Sequence, residues 1–252
     1  KIDARKLSEY LQSKKMKGVY VPSLNWEHGR SLVRARARIV SNQTRCKNRI
    51  WQLLHFSGLA LPKDYEAGQY WSRSFLKELQ ATDCGTEELK ITLGLYLKDF
   101  LQTRTLLLEA TRAIRKLCNQ PEYQKEIALL RSIVGIGEIN AAVILFELQD
   151  INRFKRFDNL CSYVGLVPNT HDTGETKKSK GITNRSNHYL RTALVESSWS
   201  VIRKDPALLM KYKGYCRTME KNRAIIRIAK HLLARISYVL KNKKEYVTGV
   251  VA

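Results

Sequence analysis

Asp172-Thr173-Gly174 sets a carboxylate, a hydroxyl and a glycine side by side in the polar stretch PNTHDTGETKKSKGITNRSNHYLR, Pro168 to Arg191. Three kinds of site use such a triplet. An aspartic protease uses the carboxylate, a tight turn uses the local hydrogen bonds of Asp and Thr, and a nucleophilic enzyme uses the hydroxyl. The protease needs two such loops in a β-rich setting, so that two carboxylates share one proton. Here there is a single copy, followed by Lys177, Lys178 and Lys180 within a helical pattern, which sets the protease aside. Thr173 remains as a candidate nucleophile or as the closure of an Asx-turn, with Ser179 as a neighbouring hydroxyl. Lys177, Lys178, Lys180, Arg185 and Arg191 suit phosphate contact, each as a positioning group rather than an acid. His171 and His188 are the nearby groups able to move a proton, and a surface or capping role is the plainer reading of either.

A second cluster is LLRSIVGIGEINAAVILFEL, Leu129 to Leu148. An apolar helix, Val-Gly-Ile-Gly, then a helix rich in small apolar residues is the pattern of a helix-hairpin-helix. Gly135 and Gly137 permit positive φ and close backbone approach, and the second helix presents its first amides to a phosphate. An ordinary pair of packed helices would read the same way without a ligand.

The rest of the chain must position these groups, and it reads as helix. Leu32, Ile39, Cys46 and Leu53 recur at heptad spacing, which predicts a helix from Arg30 to Phe56. Arg34, Arg38 and Arg45 lie on its other faces, as a solvated basic side or a surface that tracks a phosphate backbone. Thr86 caps a second helix with Glu87 and Glu88 in its first turn. From Leu89 to Leu117, Leu93, Phe100, Leu107 and Ile114 form one seam and Leu89, Tyr96, Thr103, Ala110 and Leu117 the other. About four heptads argue for a coiled-coil arm, paired either with the first helix or with another subunit. Short helices are expected over Tyr123–Ile133, Glu138–Gln149, Asp158–Val164, Asn187–Arg203, Pro206–Thr218 and Lys221–Asn242, the last with an apolar face and a basic side. KGVYVP, Lys17 to Pro22, is the one strand-like run, and the segment from Pro168 to Arg191 is expected to be a loop.

Charge narrows the partner. Lys and Arg number 45 against 23 acids, a net +22 over 252 residues. An excess of that size points to a polyanion, and nucleic acid suits a folded basic chain better than a membrane surface. No apolar run approaches the ~20 residues of a spanning helix. The five cysteines are scattered without a C-x-x-C pair, as expected of reduced thiols in the cytoplasm, and the dispersed histidines give no zinc pattern. The sequence begins at Lys1 with no signal-peptide pattern in it, and the expectation is a piece of a longer chain.

The stretch LCSYVGLVP…DTGE…KGITNRSNHYLRTALVESSW resembles the transposase domain of the DEDD-type insertion-sequence recombinases, the insertion sequence 110/1111 group that includes the Piv-type invertases. Gly165, Leu166 and Pro168 match its G-L-x-P, and Gly174 matches the glycine after its serine. Lys180, Gly181, Ile182, Leu190 and Arg191 match its K/R-x-G-x-I/T and the L-R of its basic helix. KIDARKLSEYL at the start is similar to the family's D-x-x-D-A-x-x-L, with Asp3 and Ala4 on the last Asp-Ala; VYVPS, KNRIWQLLHFSG and VGIG are also typical. The resemblance implies a mainly α protein in three parts. These are residues 1–29 as the tail of a RuvC-like α/β domain, 30–121 as the helical arm, and 122–252 as the compact domain with the helix-hairpin-helix. It also implies a DNA recombinase that works through a covalent hydroxyl-phosphate intermediate, with Thr173 in place of the family's serine. Asp3 would be the one matched member of a four-acid cluster that binds Mg2+. Dimers or tetramers, a structured guide RNA (the bridge RNA) and a cytoplasmic, nucleoid-associated setting in a prokaryote are implied by the same resemblance. Threonine keeps the hydroxyl but adds a methyl that restricts χ1 and crowds in-line attack, and Ser186-Asn187 replaces a common Gly-Asn. The competing expectation is a non-catalytic nucleic-acid-binding remnant or adaptor on the same scaffold.

Overall fold

The computed structural model describes residues 2–16, 18–59, 65, 70–173 and 176–248, and the side chains of 170–180 lie outside the description. Among the described residues the chain is almost all helix, with one small sheet. Helix α1, Ile2–Gln12, buries none of its residues. Helix α2 runs Leu24–Phe56, α3 Arg73–Ala81 and α4 Glu87–Cys118. The capping expected of Thr86 is present: its hydroxyl accepts from the Leu89 amide at 3.4 Å, with Glu87 and Glu88 in the first turn.

Helices α2 and α4 form an antiparallel hairpin within one chain, which decides between the two partners the heptads left open. Arg49 meets Asp99 near one end, Cys46 meets Thr103 further along, and Arg36 meets Thr111 beyond that. The buried stripe of α4 is broader than a two-helix seam. Leu97 and Cys118 join Leu93, Phe100, Thr103 and Ile114, and the reason for Leu97 is α3. Its Phe75, Leu76 and Leu79 pack into a distal core with Cys46, Ile50, Leu54, Leu93, Leu97 and Phe100, so that part of the arm is a three-helix assembly. Val33, Ile114 and Cys118, at the other end, belong to the main core.

Helix α2 begins six residues before the expected Arg30 and runs through Gly29. Small size is what that position needs, because a Cβ there would lie 2.3 Å from the Phe146 ring. The strand-like run is corrected. Lys17 lies outside the described residues, and Val19, Tyr20 and Val21 are exposed and belong to no strand. Their β propensity has no neighbouring strand to hydrogen-bond, and Tyr20 instead lies over the Arg153 guanidinium at 4.8 Å.

The compact part comprises α5 Pro121–Ser132, α6 Glu138–Leu148, a 3₁₀ turn Ile151–Arg153, α7 Phe157–Val164, strands β1 Pro168–Thr173 and β2 Thr176–Ile182, α8 His188–Val201, α9 Pro206–Cys216 and α10 Lys221–Asn242. Helix α6 is the hub, buried from Ile144 through Leu148 against α8, α5, α2 and α4. Gly135 has φ +92°, and a Cβ on it would meet Val201 Cγ2 at 2.5 Å and its backbone N at 2.8 Å. That glycine lets the α5–α6 connection touch α8. No helix among the described residues is long and apolar enough to cross a membrane.

Candidate nucleic-acid interface

The segment expected to be a loop is an antiparallel β-hairpin. Its arms pair from Pro168↔Ile182 at the base to Thr173↔Thr176 at the tip, with an irregularity between Pro168 and Thr170. Lysines and threonines with no apolar alternation hide a strand, because nothing in the pattern marks a buried face. The candidate Thr173 therefore stands in the last paired position of β1. Gly174 lies outside the described residues, as do the side chains of His171, Thr173, Lys177, Lys178, Ser179 and Lys180.

The base of the hairpin is anchored firmly. Helix α7 ends on Gly165 with φ +83°, where a Cβ would fall 2.2 Å from Ser186 Cβ. The Thr183 amide donates to the Val167 carbonyl at 3.1 Å. Arg191 donates to the Thr183 carbonyl at 2.8 Å and the Gly165 carbonyl at 3.4 Å, so this guanidinium ties the two ends of the hairpin to α8.

Beside that base lies a network centred on Glu147. Its side chain is fully buried. Arg34 of α2 donates to both carboxylate oxygens, from Nε at 2.6 Å and Nη2 at 2.8 Å. Asn187 Nδ2 donates to Oε2 at 2.6 Å, and the Tyr163 hydroxyl donates to the Glu147 carbonyl at 3.0 Å. Asn187 also caps α8, with Oδ1 accepting from the Leu190 amide at 3.2 Å. Four separate elements thus fix one helix N-terminus. The pairing with Glu147 holds the Arg34 guanidinium above its ordinary pKa despite partial burial, so it is a permanent cation.

Over this network opens a concavity of about 550 Å³ lined by Arg34, Tyr163, Arg185, Ser186, His188 and Tyr189 among others. The Arg34 guanidinium lies 5.0 Å from the Tyr189 ring centroid and is about a third exposed. Arg185 is exposed. Guanidinium donors, an imidazole and the positive end of a fourteen-residue helix meet on one wall, groups whose chemistry suits an anion such as a phosphate. Sequence reasoning missed Glu147, although a lone acid inside the apolar run VILFEL was a visible signal, since a carboxylate there must find partners.

The remaining candidates separate. Gly137 is the exposed N-cap of α6, while Glu138 in the first turn pairs with Arg115 at 3.2 Å. Arg38 and Arg45 are exposed on α2. Asp3 is exposed on α1, and among the described residues no three His, Cys, Asp or Glu side chains gather as metal ligands.

Residues 127–213 match the model of the transposase IS116/IS110/IS902 family, a stretch that runs from α5 to α9 and includes the hairpin and the lining of the concavity apart from Arg34. A Sinorhizobium fredii protein named as a transposase, y4qE, is 28% identical over 79% of this chain and 46% of its own length. A Pseudomonas aeruginosa protein named a family 20 transposase is 27% identical over 80% of this chain and 58% of its own. The transposase for insertion sequence element IS1111A of Coxiella burnetii is 23% identical over 98% and 68%. The chain is thus similar to transposases of the IS110 group, and it spans about half the length of the first two of these relatives.

Proposed function

We propose that the chain acts on DNA as a transposase, and that the concavity at the α8 N-terminus receives a phosphodiester of the strand being cut. The observation that carries this reading is the convergence of Arg34, Arg185 and a rigidly capped helix end at the base of the hairpin that carries Thr173, in a wall that the family match covers apart from Arg34. Arg34 and the first amides of α8 would hold non-bridging oxygens. The Thr173 hydroxyl, at the far end of the hairpin from this concavity, would attack a neighbouring phosphodiester of the same strand and lose its proton to a base, with His171 two residues away in sequence as the candidate, as the displaced sugar oxygen leaves and is protonated. The product is a threonine phosphodiester to one DNA end, and a hydroxyl of a second end reverses the step and restores the threonine. Lys177, Lys178, Lys180, Arg38 and Arg45 would track the backbone.

The +22 charge supports a second polyanion, a structured guide RNA, held alongside DNA. Association of copies into dimers or tetramers is supported by Ile91, Leu95 and Leu106, which stay more than half exposed on α4. A cytoplasmic, nucleoid-associated setting suits such partners. The three-part division at residues 29 and 121 belongs to the same reading. The competing reading, a non-catalytic nucleic-acid binder on the same scaffold, draws on the same +22 charge and needs no hydroxyl chemistry.

Trapping decides between them. The chain is incubated with a nicked suicide duplex and examined for a covalent protein–DNA adduct. An adduct that is lost in Thr173→Ala and kept in Ser179→Ala is expected. An adduct that survives Thr173→Ala refutes the nucleophile, and binding without any adduct assigns the chain to the non-catalytic class.

A further inference from the structure

A second concavity lies between the hairpin base and α10, apart from the wall that receives the phosphate. It encloses about 720 Å³, within the ~300–1,000 Å³ range of small-ligand sites. Its floor is apolar: Leu166, Val167 and Ile182 from the hairpin connection, and Met219 and Ile226 from the α10 side. Its rim carries Arg223, Arg227 and Lys230 on successive turns of α10, all exposed. The Arg227 guanidinium is steadied over the Tyr215 ring at 5.5 Å. No acidic residue lines the groove among the described residues. Uncompensated cations around an apolar slot repel an apolar cation and give a neutral apolar ligand no use for the rim. They fit a ligand that is anionic along its length and apolar on its faces.

We propose that this groove takes an unpaired nucleotide of a single strand, with the base on the Leu166–Ile182–Ile226 floor and flanking phosphates on Arg223, Arg227 and Lys230. Continuity argues for nucleic acid over an acidic peptide. Segments 162–168 and 181–189 contribute to both concavities, so a strand whose phosphate sits at the α8 N-terminus passes the same hairpin base that walls the groove. Base extrusion is also what a duplex must undergo to fill an apolar slot of this kind. The inference rests on the nucleic-acid reading of the first concavity but assigns a separate site.

Because the whole surface is cationic, affinity alone says little, and the test is a difference. Fluorescent oligothymidylate, in deoxy and ribo forms, is titrated against an abasic deoxy strand of equal length, with a blunt duplex as reference. Base-bearing strands are expected to bind about tenfold tighter than the abasic one, the scale of a single well-seated base. Ile226→Ala and Met219→Ala should each cut that preference to about threefold or less while duplex affinity stays within about twofold. Arg223→Gln should weaken the base-bearing and abasic strands alike. A preference in both sugars, or in one, supports the site and names the strand it takes. Equal binding of abasic and thymidylate strands with duplex binding intact would overturn the groove alone. Loss of all strand and duplex binding would overturn the nucleic-acid reading beneath it. Displacement of thymidylate by a Glu/Leu peptide of equal length and charge at lower concentration would assign the groove to a protein partner.

Discussion

The two concavities share the base of one hairpin and differ in how their charge is held. At the α8 N-terminus a buried carboxylate, Glu147, holds both Arg34 and Asn187. Along α10 the cations ring an apolar floor with no acid beside them among the described residues. In the first, a charge built into the core sets geometry, as a site that must place one phosphate requires. In the second, geometry comes from apolar packing, and the charges are exposed and replaceable. Substitutions within the Glu147 network should therefore cost stability, and those of the α10 cations should cost ligand binding with little loss of stability.

The largest expected effect is at Arg34. Arg34→Ala leaves Glu147 fully buried with Asn187 as its one remaining side-chain partner, at a cost of about 3–5 kcal/mol, read as a lower urea midpoint. Glu147→Gln should cost less, because the guanidinium is about a third exposed and can turn to water. Equal, small losses at both would mean that the carboxylate is not the organising group. Next comes Gly165→Ala, which places a Cβ against Ser186 at positive φ. A loss of about 2–3 kcal/mol is expected, with weaker DNA binding because the α8 N-terminus shifts.

His231 gives a smaller, pH-dependent signal. Burial, then Lys211, Arg235 and Lys230, push its pKa below 6.5, while the Tyr215 hydroxyl sits 2.8 Å from Nε2. The folded state thus binds fewer protons than the unfolded one between the depressed value and 6.5. Stability should rise with pH through that window and fall as pH drops through it. His231→Gln should flatten that part of a thermal-midpoint profile, and an unchanged profile would show that the histidine is not a contributor. The smallest effects belong to the groove and arm cations: Arg223→Gln and Arg38→Gln should stay within about 0.5 kcal/mol of the parent in unfolding.

Sequence carried the helices well and the site less well. Lys221–Asn242 and the Thr86 cap were legible because apolar periodicity and capping chemistry are local. The broadened face of α4 was not, since Leu97 is buried by α3, a partner that its own heptad does not encode. The hairpin was hidden by its lysines, and its pairing rests on backbone bonds that no side-chain pattern reports. The motif around Gly135 reads as a phosphate loop. The structure shows the closer constraint to be Val201 of α8, a residue sixty-six positions away that no local pattern connects to it. In sequence Asn187 is only half of a Ser-Asn pair, and its value as cap and as Glu147 partner appears once the four elements meet.

The most direct measurement of the central claim, that the α8 N-terminus receives a phosphodiester, is the salt dependence of duplex DNA binding. The slope of log K against log salt is compared for the parent chain and Arg185→Gln, with folding checked by circular dichroism. Loss of one phosphate contact should reduce the slope by about one and weaken binding across DNA sequences. An unchanged slope and affinity, in a variant folded like the parent, would contradict the account.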